Sequence, residues 1–277
     1  MKRAAWFWGL HAEPPKWLKV VLTLLPFIIL IAIYLIASHI RLLDNPDDKF
    51  LPSPTKMVES VYRMAFTEDQ RTGKYLMLED TIVSLKRLGT GLSLAAVFGL
   101  LLGLNMGLFP GMKALLLPFN IFLAIIPPLA VLPVLFIVFG VDELVKVVLV
   151  FIGTSFVIAI SILRTAEKIP REQITKALTL GASQLGVVYR VALPQMMPVL
   201  INAVRLSMGA AWLFLIAAEA IASTDGLGYR IYLVRRFLAM DIIIPYVLWI
   251  TFLGYAMDWI LKKFVSRKYP WYQVAEV

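Results

Sequence analysis

Apolar residues along this 277-residue chain gather into six long runs, near 18–38, 88–108, 115–139, 144–163, 195–220 and 242–261. Each holds about 20 residues or more, the length a helix needs to cross roughly 30 Å of hydrocarbon. The pattern predicts an all-α polytopic membrane protein with about six transmembrane helices in one membrane domain over 1–277. The first run starts beside Lys16 and Lys19, exceeds the length of a signal-peptide core and has no small-residue cleavage site, so it reads as a retained first helix.

The runs differ in their internal pattern. The second carries Gly91, Ala95, Gly99, Gly103 and Gly107, a small residue at every fourth position, which on a helix forms one stripe where a neighbour can approach closely, packed tightly or packed to slide. The third, in "PFNIFLAIIPPLAVLP", holds Pro118, Pro127, Pro128 and Pro133. Each proline inside a helix removes a backbone donor and disturbs the preceding turn. Irregular backbone at membrane depth survives only against protein or a wet cavity. The run therefore predicts a broken helix at a pathway or gate, with a simple kink as the alternative.

Two polar intervals stand out. Residues 39–80 form the longest, an external loop in which "LPSPTK" signals a turn and Met57, Val58, Val61, Met64 and Ala65 recur at helical spacing, as in a connecting or surface-lying helix. Residues 164–194 are too polar to be embedded. There Pro170 opens a helix, Glu172 suits its first turn, and Ile174, Ala177 and Leu178 form an apolar face. Gly181 supplies a left-handed turn and Ser183 caps a second helix through Leu185, Val188 and Ala192, until Leu193-Pro194 starts the next crossing. The result is a helix–turn–helix knob with Gly181, Ala182 and Ser183 at its apex.

Composition agrees with the pattern: 60% of residues are hydrophobic. The net charge of +9 is explained by topology rather than by a nucleic-acid partner. Segments 1–17, 109–114, 164–194 and 262–277 hold 13 Lys/Arg and 4 Asp/Glu, whereas 39–80, 140–143 and 221–241 hold 9 and 12. This asymmetry places both termini in the cytoplasm, with Arg230, Arg235 and Arg236 against the rule. There is no cysteine and the only histidines are His11 and His39, so thiol, iron–sulfur and haem chemistry lack ligands. No phosphate-loop pattern and no Ser/His/Asp, Cys/His or metal-ligand constellation occurs. The chain reads as a non-enzyme. The acids Asp47/Asp48 and Asp142/Glu143 fall in loops and read as solvated surface.

Arg205 and Glu219 are charged residues inside the fifth run, where such groups face protein or a wet cavity. They lie 14 positions apart, about 21 Å along a helix, too far to pair directly. Asn120, Thr154, Ser155, Ser207 and Trp212, with Pro127 and Pro128 at the break, are further groups able to line a route. A Ser or Thr in a membrane helix more often bonds its own backbone or a neighbouring helix.

The stretch "TLGASQLGVVYRVALP" resembles the coupling loop of permease subunits in ATP-binding-cassette importers. Ala177, Gly181-Ala182-Ser183 and Leu193-Pro194 match its pattern, while Thr175 and Lys176 stand where a glutamate and an alanine are usual. "LPSPTKMVESV", "PPLAVLPVLFIVFGVDELVKVVLVF" and "GASQLGVVYRVALPQMMPVLINAVRLSMGAAWLFLIAAEAIASTDGLGYRI" are similar to permeases of the nitrate, taurine/sulfonate and bicarbonate group, over about Phe50 to Phe264. The resemblance implies a type I importer permease fold in a bacterial inner membrane and alternating access. It also implies a second, usually identical permease, two cytoplasmic ATPase subunits carrying ATP and magnesium, and an external substrate-binding protein. Thr175, Lys176, Ala177, Leu180, Gly181, Ala182, Ser183 and Gln184 would meet the ATPase. Arg205 and Glu219, expected across the group whatever the cargo, would serve structure or gating. The implied cargo is a small anion such as a sulfonate, taurine, nitrate or bicarbonate. Ala124 and Val131 replace the basic residue and tryptophan usual beside "PPLA", which keeps a neutral or cationic nutrient such as a pyrimidine vitamin precursor open. A stand-alone secondary carrier is the rival from another class.

Overall fold

The structure, a computed structural model, describes residues 14–46, 48–70 and 73–272. Its helices are α1 (Lys16–Asp44), α2 (Pro54–Phe66), α3 (Leu76–Leu108), α4 (Pro110–Ile125), α5 (Pro128–Phe139), α6 (Glu143–Ala166), α7 (Arg171–Thr179), α8 (Gln184–Val187), α9 (Leu193–Ala222), α10 (Leu227–Arg235) and α11 (Met240–Lys268). Among the described residues, five spans are long and apolar enough to cross a membrane: α1, α3, α6, α8 running into α9, and α11. The pair α4 and α5 adds a sixth if it counts as one.

The third run is where the architecture departs most from a simple crossing. Ile126 and Pro127 take extended backbone between α4 and α5, because a residue before proline is driven out of the helical region, and the two helices meet at 94°. At 12 and 16 residues neither half reaches across 30 Å alone. The run is thus a bent pair, and Pro118 and Pro133 sit inside its halves without breaking them.

The first polar interval is also shorter than 39–80. α1 continues to Asp44, and its far end is fastened to the loop that follows. The Tyr34 hydroxyl donates to Pro52 O at 2.7 Å, Ser38 Oγ to Leu51 O at 3.0 Å, and Arg41 pairs with Asp48 at 2.9 Å. Asp48 is therefore a buried ion-pair partner rather than solvated surface; Asp47 and His11 lie outside the described residues. Ser53 caps α2, accepting from Lys56 N, with Pro54 in the first turn.

The centre of the bundle is α3, α6 and α9. Their core runs through Leu88, Leu92, Val150, Met208 and Leu215 toward one end and Ala95, Ile158, Ile162, Met196 and Ala203 toward the other. The glycine stripe of α3 lies against α6. A Cβ on Gly91, Gly99, Gly103 or Gly107 would come within 2.6–2.8 Å of Val150, Ile158, Ala159 or Ala166. The nearest atoms include backbone carbonyls as well as side chains, so α3 and α6 pack closely along the whole stripe.

The segment expected as a second short helix is continuous with the next crossing. Leu193 N–H donates to Val188 O, five residues back, and the π turn Val188–Ala192 carries α8 straight into α9. Pro194 has no N–H to donate, yet the chain runs on through it without a break, and the Gln195 side chain donates to the Val191 carbonyl at 2.9 Å.

Candidate functional site

The segment after α6 builds its knob from local rules. Pro170 precedes α7, Glu172 sits in its first turn and Lys176 in its last, each complementing the helix dipole. Gly181 takes φ +88°; its N–H donates to Leu178 O and Ala182 N–H reaches back to Ala177 O, both at 3.0 Å. This double bond pattern around a left-handed glycine closes α7. Ser183 Oγ accepts from Gly186 N at 3.1 Å and starts α8. Ser183→Ala should cost about 1 kcal/mol locally. Hydrogen exchange at the Gly186 amide should then speed up several-fold with the overall melting temperature little changed.

The knob exposes what a soluble surface normally hides. Leu180 is 79% exposed, Leu185 66% and Tyr189 64%, beside exposed Thr175, Lys176, Gly181, Ser183 and Gln184. Ala177 and Ala182 are half-buried under them. Nothing lies within 4 Å of the place a Gly181 Cβ would occupy. An apolar patch on a polar connecting segment, with an open apex, has the character of a docking surface.

At the opposite end of the bundle a buried ion network ties the helices together. Arg87 on α3 donates to Glu219 at 2.9 Å and to both Glu143 oxygens, to the Asp225 carboxylate, and to Asp225 O at 3.0 Å. Glu219, fully buried, also accepts from Ser84 Oγ at 2.8 Å and from Gly228 N at 2.9 Å. Asp80 accepts from Gly226 N at 3.0 Å, Arg230 at 2.8 Å and Tyr246 at 3.2 Å. Asp80, Ser84 and Arg87 share one face of α3 at intervals of four and three, so that face holds the Gly226–Gly228 backbone and α10 in place. Gly226, at φ +106°, is pressed so near Glu219 and Arg87 that a Cβ would lie 2.6 Å from Glu219 Oε1. Glu143 was expected as solvated surface. Its side chain is 64% exposed, yet it bridges buried Arg87 and buried Lys146. Asp142 is exposed, as expected.

Residues 95–268 match the family model described as "Binding-protein-dependent transport system inner membrane component". The chain belongs to this family. It is the multi-pass inner-membrane permease of an ATP-binding-cassette importer, working with ATPase and binding-protein partners and not itself an ATPase. The permease is 28% identical over 271 residues to the taurine transport system permease protein TauC of Escherichia coli (strain K12), covering 98% of this chain and 94% of the relative. It is 32% identical over 154 residues to the putative aliphatic sulfonates transport permease protein SsuC of the same organism, 54% of this chain and 59% of that one. It is 30% identical over 192 residues to the bicarbonate transport system permease protein CmpB of Synechococcus elongatus, 69% and 68% of the two chains. The fold matches a chain from inward-facing crystals of the MetNI methionine ABC transporter, with TM-score 0.59 and 17% identity, over 72% of the permease and 98% of that chain.

The expected route-lining residues of the permease do not converge on one site. Ser207 lines a cleft of about 180 Å³ between α6 and α9 with Gly153, Val157, Ser161, Ala203 and Ala210. Thr154 donates to its own helix at Val150 O, the backbone bonding that is usual for such a residue. Ser155 Oγ is buried without a hydrogen-bond partner. Asn120 is buried where α4 meets α6, its Nδ2 donating to Phe156 O at 3.4 Å and its Oδ1 unpaired. Trp212 packs in the core beside Gly254 of α11, its indole N–H also unpaired. Pro127 and Pro128 mark the α4–α5 bend. Arg205 does not reach Glu219; it forms a two-pronged pair with Asp258 of α11 at 2.9 and 3.0 Å and donates to Asn202 at 3.1 Å. Sequence reasoning missed Asp80, Ser84, Arg87, Lys146 and Asp258. The first three were legible as one helical face leading into the second run, but only once that helix is known to begin at Leu76.

α9 is among the most buried helices, yet Leu206, Gly209, Ala210, Leu213 and Ile221 stand exposed along it, with Asn202 and Arg205 on its flank.

Proposed function

We propose that the permease carries a small sulfonate of the taurine type, as one of two identical copies whose exposed α9 faces enclose the route. Two ATPase subunits dock on the knobs through Thr175, Lys176, Ala177, Leu180, Gly181, Ala182, Ser183 and Gln184, and hold the ATP and magnesium. Both termini lie on that cytoplasmic side, as the basic-residue asymmetry favours. ATP binding draws the ATPases together, the knobs follow, and the copies rock from inward-open to outward-open to receive cargo from the binding protein. Hydrolysis resets them. Ser161 and Ser207 in the α6–α9 cleft offer hydroxyl donors to the passing oxyanion. Arg205, neutralised by Asp258, and Glu219, neutralised by Arg87, act in structure rather than in cargo choice.

The observation that carries the cargo reading is the end-to-end similarity to a permease described as taurine-transporting, against partial coverage for the bicarbonate relatives. The test is uptake of labelled taurine by proteoliposomes holding the full complex, with the binding protein outside and ATP inside. Taurine accumulation that an aliphatic sulfonate suppresses, and that nitrate and bicarbonate leave unchanged, is the expected result. ATP-driven uptake of nitrate or bicarbonate with no response to taurine would overturn the sulfonate reading.

A further inference from the structure

The outward face of α11 changes character along its length. Leu248, Phe252, Tyr255 and Trp259 stand 51–69% exposed at intervals of three and four, one stripe down the helix. On a membrane-crossing helix such a stripe suits lipid tails. Past Trp259 the same stripe runs on into Lys263 and Arg267, again four apart and exposed, with Lys262 and Lys268 on its flanks. Val265, on the opposite face, is fully buried in the bundle. Cations in the last turn of a helix complement its dipole, which accounts for Arg267 and Lys268 but not for Lys262 and Lys263.

The four cations are unpaired and held in place. Among the described residues none of them has a carboxylate within 4 Å, whereas Lys113 pairs with Glu167 and Arg205 with Asp258. Lys263 Nζ lies 4.4 Å from the centre of the Trp259 ring, and Lys268 Nζ lies 5.4 Å from that of Phe264. Both ammonium groups are drawn back one turn toward the apolar segment instead of reaching away from it into water. Tryptophan is enriched at headgroup level in membrane proteins, so a cation resting on its ring stands at the depth of lipid phosphates. Beyond Lys268 the chain turns, with Tyr269 N–H donating to Val265 O at 2.8 Å, and Tyr272 packs against the cluster that includes Ala166 and Ile169. The basic end is therefore anchored beside the base of the knob.

We propose that the end of α11 is a binding site for an acidic phospholipid. Trp259 and Phe264 lie along the upper part of its acyl chains, and Lys262, Lys263, Arg267 and Lys268 surround its phosphate. Clusters of four or more basic residues directly after a membrane span attract anionic headgroups. With no carboxylate among them, the four favour a lipid of net negative charge, such as phosphatidylglycerol, over phosphatidylcholine, whose choline offsets its phosphate. The site involves neither the α9 face nor the residues proposed to meet the ATPase, so it stands or falls apart from the cargo.

The test is a titration of the detergent-purified full chain with short-chain phosphatidylglycerol or phosphatidylcholine, with bound lipid counted by native mass spectrometry. Tighter binding of phosphatidylglycerol is the expected result. Lys263→Gln and Arg267→Gln should each lower that affinity about fivefold, the effect of one basic residue at an anionic surface, and leave phosphatidylcholine unchanged. Lys263→Arg keeps the charge and should keep the affinity. Both positions are exposed, so the melting temperature should hold; if Lys263→Gln lowers it, Arg267→Gln is read alone. Equal affinity of the native chain for the two lipids overturns the inference, as does a phosphatidylglycerol affinity that neither variant changes. Displacement of the lipid by an equal concentration of inorganic phosphate would reveal a free-anion site and overturn it too. So would loss of a co-purifying ATPase from the double variant with lipid affinity intact, which would assign the cations to that partner.

Discussion

Replacing Arg87 by methionine should destabilise the permease by about 3–5 kcal/mol, the cost of removing one partner from a buried ion pair. Arg87 and Glu219 have side chains 4% and 0% exposed, so Glu219 would be left charged with no cation beside it. The other acids on Arg87 would suffer less, because Glu143 and Asp225 are 64% and 41% exposed and water can replace the guanidinium. Pairing Arg87→Met with Glu219→Gln should restore most of the loss. The amide oxygen can still accept from Gly228 N–H and Ser84, and neither member of the pair leaves an unpaired charge behind. Thermal unfolding of the detergent-solubilised chain checks this: a large fall for the single variant and a melting temperature near wild type for the double. Equal falls for both would mean that Arg87 acts through its links to Glu143 and Asp225 instead.

Gly103→Leu should be at least as damaging. Its Cβ alone would sit 2.6 Å from both Ala159 O and Ile162 Cβ, so α3 and α6 would have to separate along a face that also holds Gly99 and Gly107 in close contact. Overpacking costs about 1–3 kcal/mol where neighbouring side chains can yield; here one of the obstructing atoms is backbone, and the effect should lie at or above that range. The expected outcome is little folded protein in the membrane. Gly89→Leu on the same helix is the control, because nothing lies within 4 Å of its Cβ position, and it should change stability by less than about 0.5 kcal/mol. Similar losses for the two variants would point to helix insertion rather than to the α3–α6 lock.

These two sites belong to one closely packed block of the permease. Arg87 and Asp80 bind the ends of α3, α6 and α9 to the Gly226 loop and α10, and the glycine stripe extends that block along α3 and α6 to Gly107. The exposed α9 residues and the α7 knob lie outside the block, which is where the proposed route and the proposed ATPase contact fall.

How much of this was legible in sequence follows from the range of the forces involved. The Gly181 turn and the Ser183 cap rest on bonds within five residues, and both were readable. Spans were readable from apolar length, but their ends were not. α3 begins at Leu76 rather than near 88, because its polar first turns are satisfied by residues such as Glu219 and Asp225, more than 130 positions away. For the same reason Glu143 looked like loop surface. Prolines 127 and 128 announced a break, whereas the 94° angle depends on what α4 and α5 pack against. Pro194 pointed to a helix boundary, and a single π turn removed the need for one.

The most direct test of the account is mild-detergent affinity purification of this chain, native and as Gly181→Trp, with mass spectrometry of bound partners and an ATPase assay. The open space at Gly181 means that the Cβ of a tryptophan there meets no atom of the permease within 4 Å, at a backbone strain of roughly 1–2 kcal/mol. The account predicts a stoichiometric partner with a phosphate-loop ATPase sequence on the native chain, and a Gly181→Trp chain that inserts normally but loses partner, ATPase activity and uptake together. A native chain that purifies alone and drives uptake in liposomes without ATP would contradict it.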